Sequence, residues 1–376
     1  MQLVLSEDQE LLAKTALDFA REHSPVSRVR ALRDGSDPTG FSRALWKQMA
    51  ELGWVGILIP ESHGGAGMGL ADLAVVLEAL GRTLAPEPFL STVLLGGQAI
   101  ALGGSEAQRQ AWLPRVAAGD ALLTLAWQEA RSRYDLRRVA ATAESEGDGW
   151  RLAGEKIQVL DAHVADAFIV SARTGAGAEL GLFLVPAGAP GLSITRQTRI
   201  DARNAGLVRL EGVRVGRDAR LGGTEDGAAL LERVIDRATA GLCAEMLGGM
   251  SQVFDDTLQY LKTRVQFGVP IGSFQALKHR AAKLFMEIEL ARSAVMAAVR
   301  AADEGDADLP ALVSLAKARC SDAFVLAANE GVQMHGGVGM TDEYDLGFYM
   351  KRARVAEMTF GDAAWHRARW ARLHGY

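Results

Sequence analysis

Apolar positions recur with a helical period over roughly the first 120 residues, change to short alternating runs, and return to long helical periods from about residue 226. Ser6 and Gln9 have capping-box spacing, and Leu11, Leu12, Thr15, Ala16 and Phe19 follow at helical intervals, so the chain opens with an amphipathic helix. Further helices are predicted from Phe41 to Leu52, ending at Gly53, and over 70–81, 89–102 and 105–118. Between them, Pro60 to Gly69 is a glycine-rich loop that must bend sharply or admit something to its backbone, but it lacks the GxGxxG spacing of a Rossmann turn.

From 123 to 222, short apolar runs such as 167–171, 180–185 and 207–210 alternate with turn signals such as Gly147-Asp148-Gly149, which reads as a β domain of roughly a hundred residues. Helices then follow to Thr263, from Ser273 to about Asp303, from Asp308 to about Met334, and near the C-terminus. The expected organisation is α+β: an N-terminal all-α domain (1–121), a middle β domain (122–225) and a C-terminal helical bundle (226–376).

Two stretches interrupt the C-terminal helices. In 260–275, Arg264 ends a helical run, Phe267 follows, Gly268 and Pro270 stop the helix, and Ser273 is expected to cap the next one. An arginine and an aromatic ring held at such a break suit a phosphate and a stacked ring system, although a plain helix–helix turn has the same pattern. In 333–344, Gln333, Gly336, Gly337 and Gly339 close a long helix as a C-cap or as bare backbone for a ligand.

Composition narrows the partners. With 376 residues, 49% of them hydrophobic, the chain can bury a large core, and a net charge of −5 with no long basic run argues against nucleic acid or an anionic membrane as partner. Any anion site must be local. The two cysteines, Cys243 and Cys320, have neither disulfide-framework nor zinc spacing, and the seven histidines form no metal motif, so no metal is expected. No apolar run approaches a membrane span and the N-terminus has no signal pattern, which reads as cytoplasmic.

Taken together, Arg264-x-x-Phe267-Gly268-x-Pro270-Ile271-x-x-Phe274-Gln275, Gln333-x-x-Gly336-Gly337-x-Gly339 and Ile59-Pro60-Glu61-x-x-Gly64-Gly65-x-Gly67 resemble the acyl-CoA dehydrogenase family over essentially the whole chain. The resemblance implies a helical domain, a middle β-barrel and a four-helix bundle, with FAD held between subunits. It implies Arg264 at the FAD pyrophosphate, Phe267 at its adenosine end, and Gln333, Gly336 and Gly337 approaching the dinucleotide from the partner side of the site. It further implies an oligomer, such as a tetramer, an acyl-CoA thioester as substrate, and electron-transferring flavoprotein as acceptor.

The sequence departs from the family where the chemistry occurs. Thr359-Phe360-Gly361-Asp362 aligns with the family's Tyr-Glu-Gly-Thr, so Phe360 stands where the catalytic glutamate is usual. The alternative base position falls near Ala238, and Glu245, further along that helix, is read as a helix-surface or buried-pair residue. Asp362 is either a shorter, relocated base or the cap of the last helix. The flavin-bordering segments appear as Gln128-Glu129-Ala-Arg-Ser-Arg-Tyr134-Asp135 and Gln158-Val159-Leu160. This pattern is similar to the branch that includes the small subunit of pimeloyl-CoA dehydrogenase, in a broader group with α2β2 assemblies. The expected function is FAD-dependent α,β-dehydrogenation as a subunit of a hetero-oligomer. The alternatives are a non-catalytic partner that completes a relative's FAD site, or a same-fold oxidase or monooxygenase.

Overall fold

The computed structural model describes residues 4–175, 179–223 and 226–376, so the expected domain boundary at Glu225 lies outside the described residues. The Ser6 hydroxyl accepts from the Gln9 N–H and the Gln9 side chain accepts from the Ser6 N–H, which starts α1 (Glu7–His23) as the spacing predicts. Then come α2 (Val26–Asp34), α3 (Arg43–Glu51, capped by Ser42), α4 (Leu70–Arg82), α5 (Gln98–Gly103) and α6 (Glu106–Ala117). The helix expected over 89–102 is two pieces, because a π-helical segment, Phe89–Gly97, precedes α5. An added Cβ at Gly96 would come within 2.3 Å of the Leu123 Cβ, so this segment lays bare backbone against the first strand.

The strands are β1 (Leu123–Ala126), β2 (Thr142–Glu146), β3 (Gly149–Leu160), β4 (Ala167–Thr174), β5 (Leu180–Pro186), β6 (Leu192–Gln197), β7 (Ala205–Gly216) and β8 (Arg220–Leu221). They form one sheet in the order β6-β7-β3-β2-β4-β5-β8, with β1 parallel to β4. Among the described residues the hydrogen-bonded path is open, with β6 and β8 at its ends, where a closed barrel was expected. β4 pairs with β1, β2 and β5, which is why its apolar run is nearly continuous rather than alternating.

The C-terminal part contains α7 (Gly227–Thr263), the short strands β9 (Val265–Gln266) and β10 (Val269–Pro270), α8 (Gln275–Glu304), α9 (Leu309–His335), α10 (Leu346–Met358) and α11 (Ala363–Leu373). The single last helix expected from sequence is thus two, broken at Thr359–Asp362. By packing, the chain groups into two compact units: Met1–Ala31, Leu70–Ala85 and Thr239–Tyr376 form one, and Leu32–Gly69 with Pro86–Ala238 the other.

In the first unit α4 and α7 meet backbone to backbone. A Cβ added at Gly248 would lie 1.9 Å from the Glu78 carbonyl oxygen, and one at Gly81 would lie 2.1 Å from that of Glu245. Beside this crossing, Arg352 Nε of α10 donates to Glu245 Oε1 at 2.8 Å with both side chains buried, and the Tyr349 hydroxyl donates to the Arg82 carbonyl. Of the two roles expected for Glu245, the structure therefore gives the buried pair. Among the described residues, no helix is long and apolar enough to cross a membrane and no His, Cys, Asp or Glu group is placed to hold a metal ion. Cys243 and Cys320 are buried free thiols.

Candidate functional site

Arg264 sits one residue past α7, where its N–H donates to the Tyr260 carbonyl and its own carbonyl accepts from Ile271 N–H at 2.8 Å. Those bonds close a hairpin rather than a simple corner. Phe267 and Gly268, with φ of 55° and 80°, form the two-residue turn between β9 and β10, which is the left-handed pattern that tight hairpins require. The turn carries Phe267 out to 91% exposure, edge-on to Phe274 at 6.1 Å. The Arg264 guanidinium is exposed and has no carboxylate partner among the described residues. Ser273 does not cap the next helix as expected. It lies in a 3₁₀ turn, and α8 starts from Phe274 with no side-chain cap bond, because the hairpin rather than a capping residue sets where the chain re-enters a helix.

Gln333 is exposed near the end of α9, and Gly336 (φ 67°) opens a 3₁₀ turn, Gly336–Met340. Nothing lies within 4 Å of a Cβ placed at Gly336 or Gly337, so the backbone there is open to an approaching group. His335 links this turn to the hairpin. Its Nδ1–H donates to the Gly331 carbonyl at 2.7 Å, and its ring stacks on Tyr260 at 4.2 Å and meets Tyr344 at 5.3 Å. Burial lowers the His335 pKa, so the ring is neutral at physiological pH. Tyr260 is one helical turn before Arg264, so the stack brings together the two motifs that the sequence had suggested. Neither Tyr260 nor Tyr344 had been singled out, since ring stacking between distant helices leaves no periodic signal.

The corner where the family's base is expected joins α10 to α11. Phe360 is buried with φ 63°, and Gly361 follows with φ 125°. Asp362 is the N-cap of α11, its Oδ1 accepting from Trp365 N–H at 2.9 Å, so the capping alternative is present in the structure. Beneath the corner lies Lys317 of α9, a residue that sequence reading missed. It is fully buried, and its Nζ donates to the carbonyls of Gly361 at 2.6 Å and Glu357 at 2.8 Å and to Ser321 Oγ at 3.2 Å. Burial lowers its pKa to about 8, against the pull of the nearby thiols Cys243 and Cys320 and the carboxylates Glu357 and Asp362. His366, also buried, is pushed to about 2 by burial and by the charges of Lys317 and Arg369, and is neutral.

Lys317 makes a testable contribution to stability. An unfolded lysine keeps its proton up to about 10.5, whereas the folded one gives it up from about 8, so between those values the unfolded state binds more protons and stability rises with pH. Chemical denaturation between pH 7.5 and 9 should show a steeper rise for the wild type than for Lys317→Met; parallel curves would remove Lys317 as the source.

In the second unit, the loop from Gln128 to Asp135 is anchored by a buried ion pair. Lys156 Nζ donates to Glu129 Oε1 at 2.7 Å and to Ser171 Oγ at 3.0 Å, while the Glu129 carboxylate also accepts from the N–H groups of Ala140 and Ala141. Burial acts to raise the Glu129 pKa, but the charge and hydrogen bond of Lys156 and the two N–H groups hold the carboxyl below its usual range. Lys156 is lowered by burial to about 8, against the pull of Glu129. Gln158 sits at a register break of the β3–β7 ladder with φ 53°, one residue past Ile157, whose N–H donates to the Gln128 carbonyl. The loop and the bulge are thus tied together, and neither side chain of the Glu129–Lys156 pair is available for chemistry.

Comparison with known proteins agrees with this arrangement. Family models described as the acyl-CoA dehydrogenase N-terminal, middle and C-terminal domains match residues 6–120, 124–213 and 225–373. Acyl-CoA dehydrogenase FadE27 of Mycobacterium tuberculosis is 34% identical over 330 residues, 86% of each chain. Among solved structures, the ChsE4-ChsE5 complex from Mycobacterium tuberculosis superposes with a TM-score of 0.90 at 30% identity over 100% of both chains. The Tcur3481-Tcur3483 steroid ACAD G363A variant does so with 0.88 at 34% identity over 98% of both. With all three family models matched in order and a relative this similar over most of its length, the chain belongs to the acyl-CoA dehydrogenase family.

Proposed function

We propose that the chain is one subunit of an FAD-dependent acyl-CoA dehydrogenase that carries out α,β-dehydrogenation of an acyl-CoA thioester together with a second, related chain. The observation that carries this reading is the α10–α11 corner: the apolar Phe360 occupies the expected base position, while the dinucleotide-side motifs are intact. Two of the structures above are titled as pairs of differently named chains, and one pair as a steroid ACAD, which supports a hetero-oligomer acting on thioesters from dicarboxylate or steroid side-chain breakdown.

The residues fit the diphosphate half of FAD. Arg264 offers a guanidinium with no competing carboxylate, and Gly336 and Gly337 offer open backbone. Charge-assisted arginine–phosphate bonds are about twice as strong as neutral ones, so Arg264 would hold the pyrophosphate, with Phe267 against the adenosine end and Gln333 beside it. When bound, FAD supplies the acceptor for the hydride that leaves the β carbon. The chain's own role in proton removal rests on Asp362, whose carboxylate already serves the α11 cap; a glutamate from the second chain is the more available base. Electron-transferring flavoprotein is the proposed reoxidant and an α2β2 tetramer the proposed assembly.

Arg264→Ala tests the cofactor role. Losing a charged hydrogen bond worth about 1.5–3 kcal/mol should weaken FAD retention by about 10- to 100-fold. The measurement is the flavin-to-protein absorbance ratio after gel filtration, and equal ratios in mutant and wild type would remove Arg264 from the site.

A further inference from the structure

Within the second packing unit, four arginines converge on a cavity of about 310 Å³ between the segment after α2 and the β6–β7 connection. Arg33, Arg196, Arg199 and Arg203 line it, with Asp37 the only acid in the lining, a formal balance of +3 in a chain whose net charge is −5. The acids nearby are partly committed. Arg199, with a side chain only 9% exposed, lies 3.3 Å from Asp201, and Arg33 lies 2.7 Å from Asp34. Asp37 Oδ1 accepts from the N–H groups of Thr39 and Gly40.

Arg196 differs from these. It donates to the carbonyls of Asp37 and Pro38 and to Asn204 Oδ1, all neutral acceptors, so it is oriented firmly while its charge is not cancelled. A fixed guanidinium with an uncancelled charge suits phosphate, which arginine recognises through a planar fork of donors. Ile200, in the same wall and 64% exposed, adds an apolar surface beside the arginines. The volume lies at the lower end of the range of small-molecule sites, about 300–1,000 Å³.

We propose that this arginine-lined cavity binds a diphosphate group, carried by a nucleotide or free, at a site separate from the FAD-binding residues Arg264, Phe267, Gln333, Gly336 and Gly337. Arg196 and Arg203 contact the phosphates, and Ile200 packs against whatever the diphosphate carries. The inference does not depend on the proposed dehydrogenase role.

The test is calorimetric titration of the full-length protein with ADP, pyrophosphate and adenosine, in excess FAD so that the dinucleotide site is filled. Saturable binding of ADP or pyrophosphate is expected, none for adenosine, with affinity at least tenfold weaker in Arg196→Gln and Arg203→Gln and largely kept in Arg203→Lys. Tighter binding of ADP than of pyrophosphate assigns the site to a nucleotide, and equal binding to free diphosphate. Because Arg196 also braces the 37–38 backbone, hydrogen exchange on the wild type provides a second readout: ADP or pyrophosphate should slow exchange over residues 196–203. No saturable binding, unchanged affinity in both glutamine variants, or no protection of that segment would overturn the proposal.

Discussion

Purified without a partner chain, this protein should turn over acyl-CoA thioesters at least about 10²-fold more slowly than the same chain co-expressed with a glutamate-bearing relative. A positioned general base contributes roughly 10² to 10⁴ in rate, and here Phe360, which cannot accept a proton, stands at its expected place. Asp362 has one oxygen engaged with Trp365 N–H, and a carboxylate that abstracted a proton would weaken that charged cap bond. The readout is bleaching of flavin absorbance under anaerobic conditions with a panel of acyl-CoAs. Full-rate bleaching by the lone chain would sink the two-chain reading, and Asp362→Asn then decides the base. If the variant loses at least about 10²-fold in rate while its thermal midpoint falls only as expected for a cap, Asp362 is the base after all.

The second large effect concerns stability. Gly248→Val should destabilise the protein by about 3 kcal/mol or more, seen as a lower midpoint in chemical denaturation. Replacing glycine within a helix ordinarily improves propensity by somewhat less than about 1 kcal/mol, and overpacking ordinarily costs about 1–3 kcal/mol. Here the obstruction is backbone, with the Glu78 carbonyl oxygen 1.9 Å and the Arg82 nitrogen 3.0 Å from the new Cβ, so no side chain can rotate away. The helices would have to separate, which would also disturb the Glu245–Arg352 pair and the Tyr349 bond to Arg82. A midpoint equal to that of the wild type would mean that the α4–α7 crossing is not close-packed.

What the sequence revealed was local. The Ser6–Gln9 box, the Ser105 start and the helix beginning at Leu70 were readable because caps and apolar periodicity act within one or two turns. Arg264, Phe267 and the Gly336–Gly337 turn were readable as motifs of residue types with few other uses. What escaped depends on contacts across long separations: Lys317 beneath Gly361, His335 on Tyr260, and Lys156 with Glu129. A buried lysine looks like any helix-surface lysine until its surroundings are known. Ser273 misled for the opposite reason, since its type suits a cap while the hairpin shifts the helix start past it.

The β9–β10 hairpin has a consequence for the cell that makes this protein. Phe267 at 91% exposure and Val265 at 53% stand near Phe274 on a short, well-defined turn, and Phe285, Met286 and Leu290 on α8 are each more than half exposed. Apolar groups held bare to solvent promote self-association. A chain synthesised in excess of its counterpart would present this surface uncovered and become a target for chaperones and proteases. Matched synthesis of the two chains would then govern how much of either survives, and orphaned copies should accumulate in the insoluble fraction when the gene is overexpressed alone.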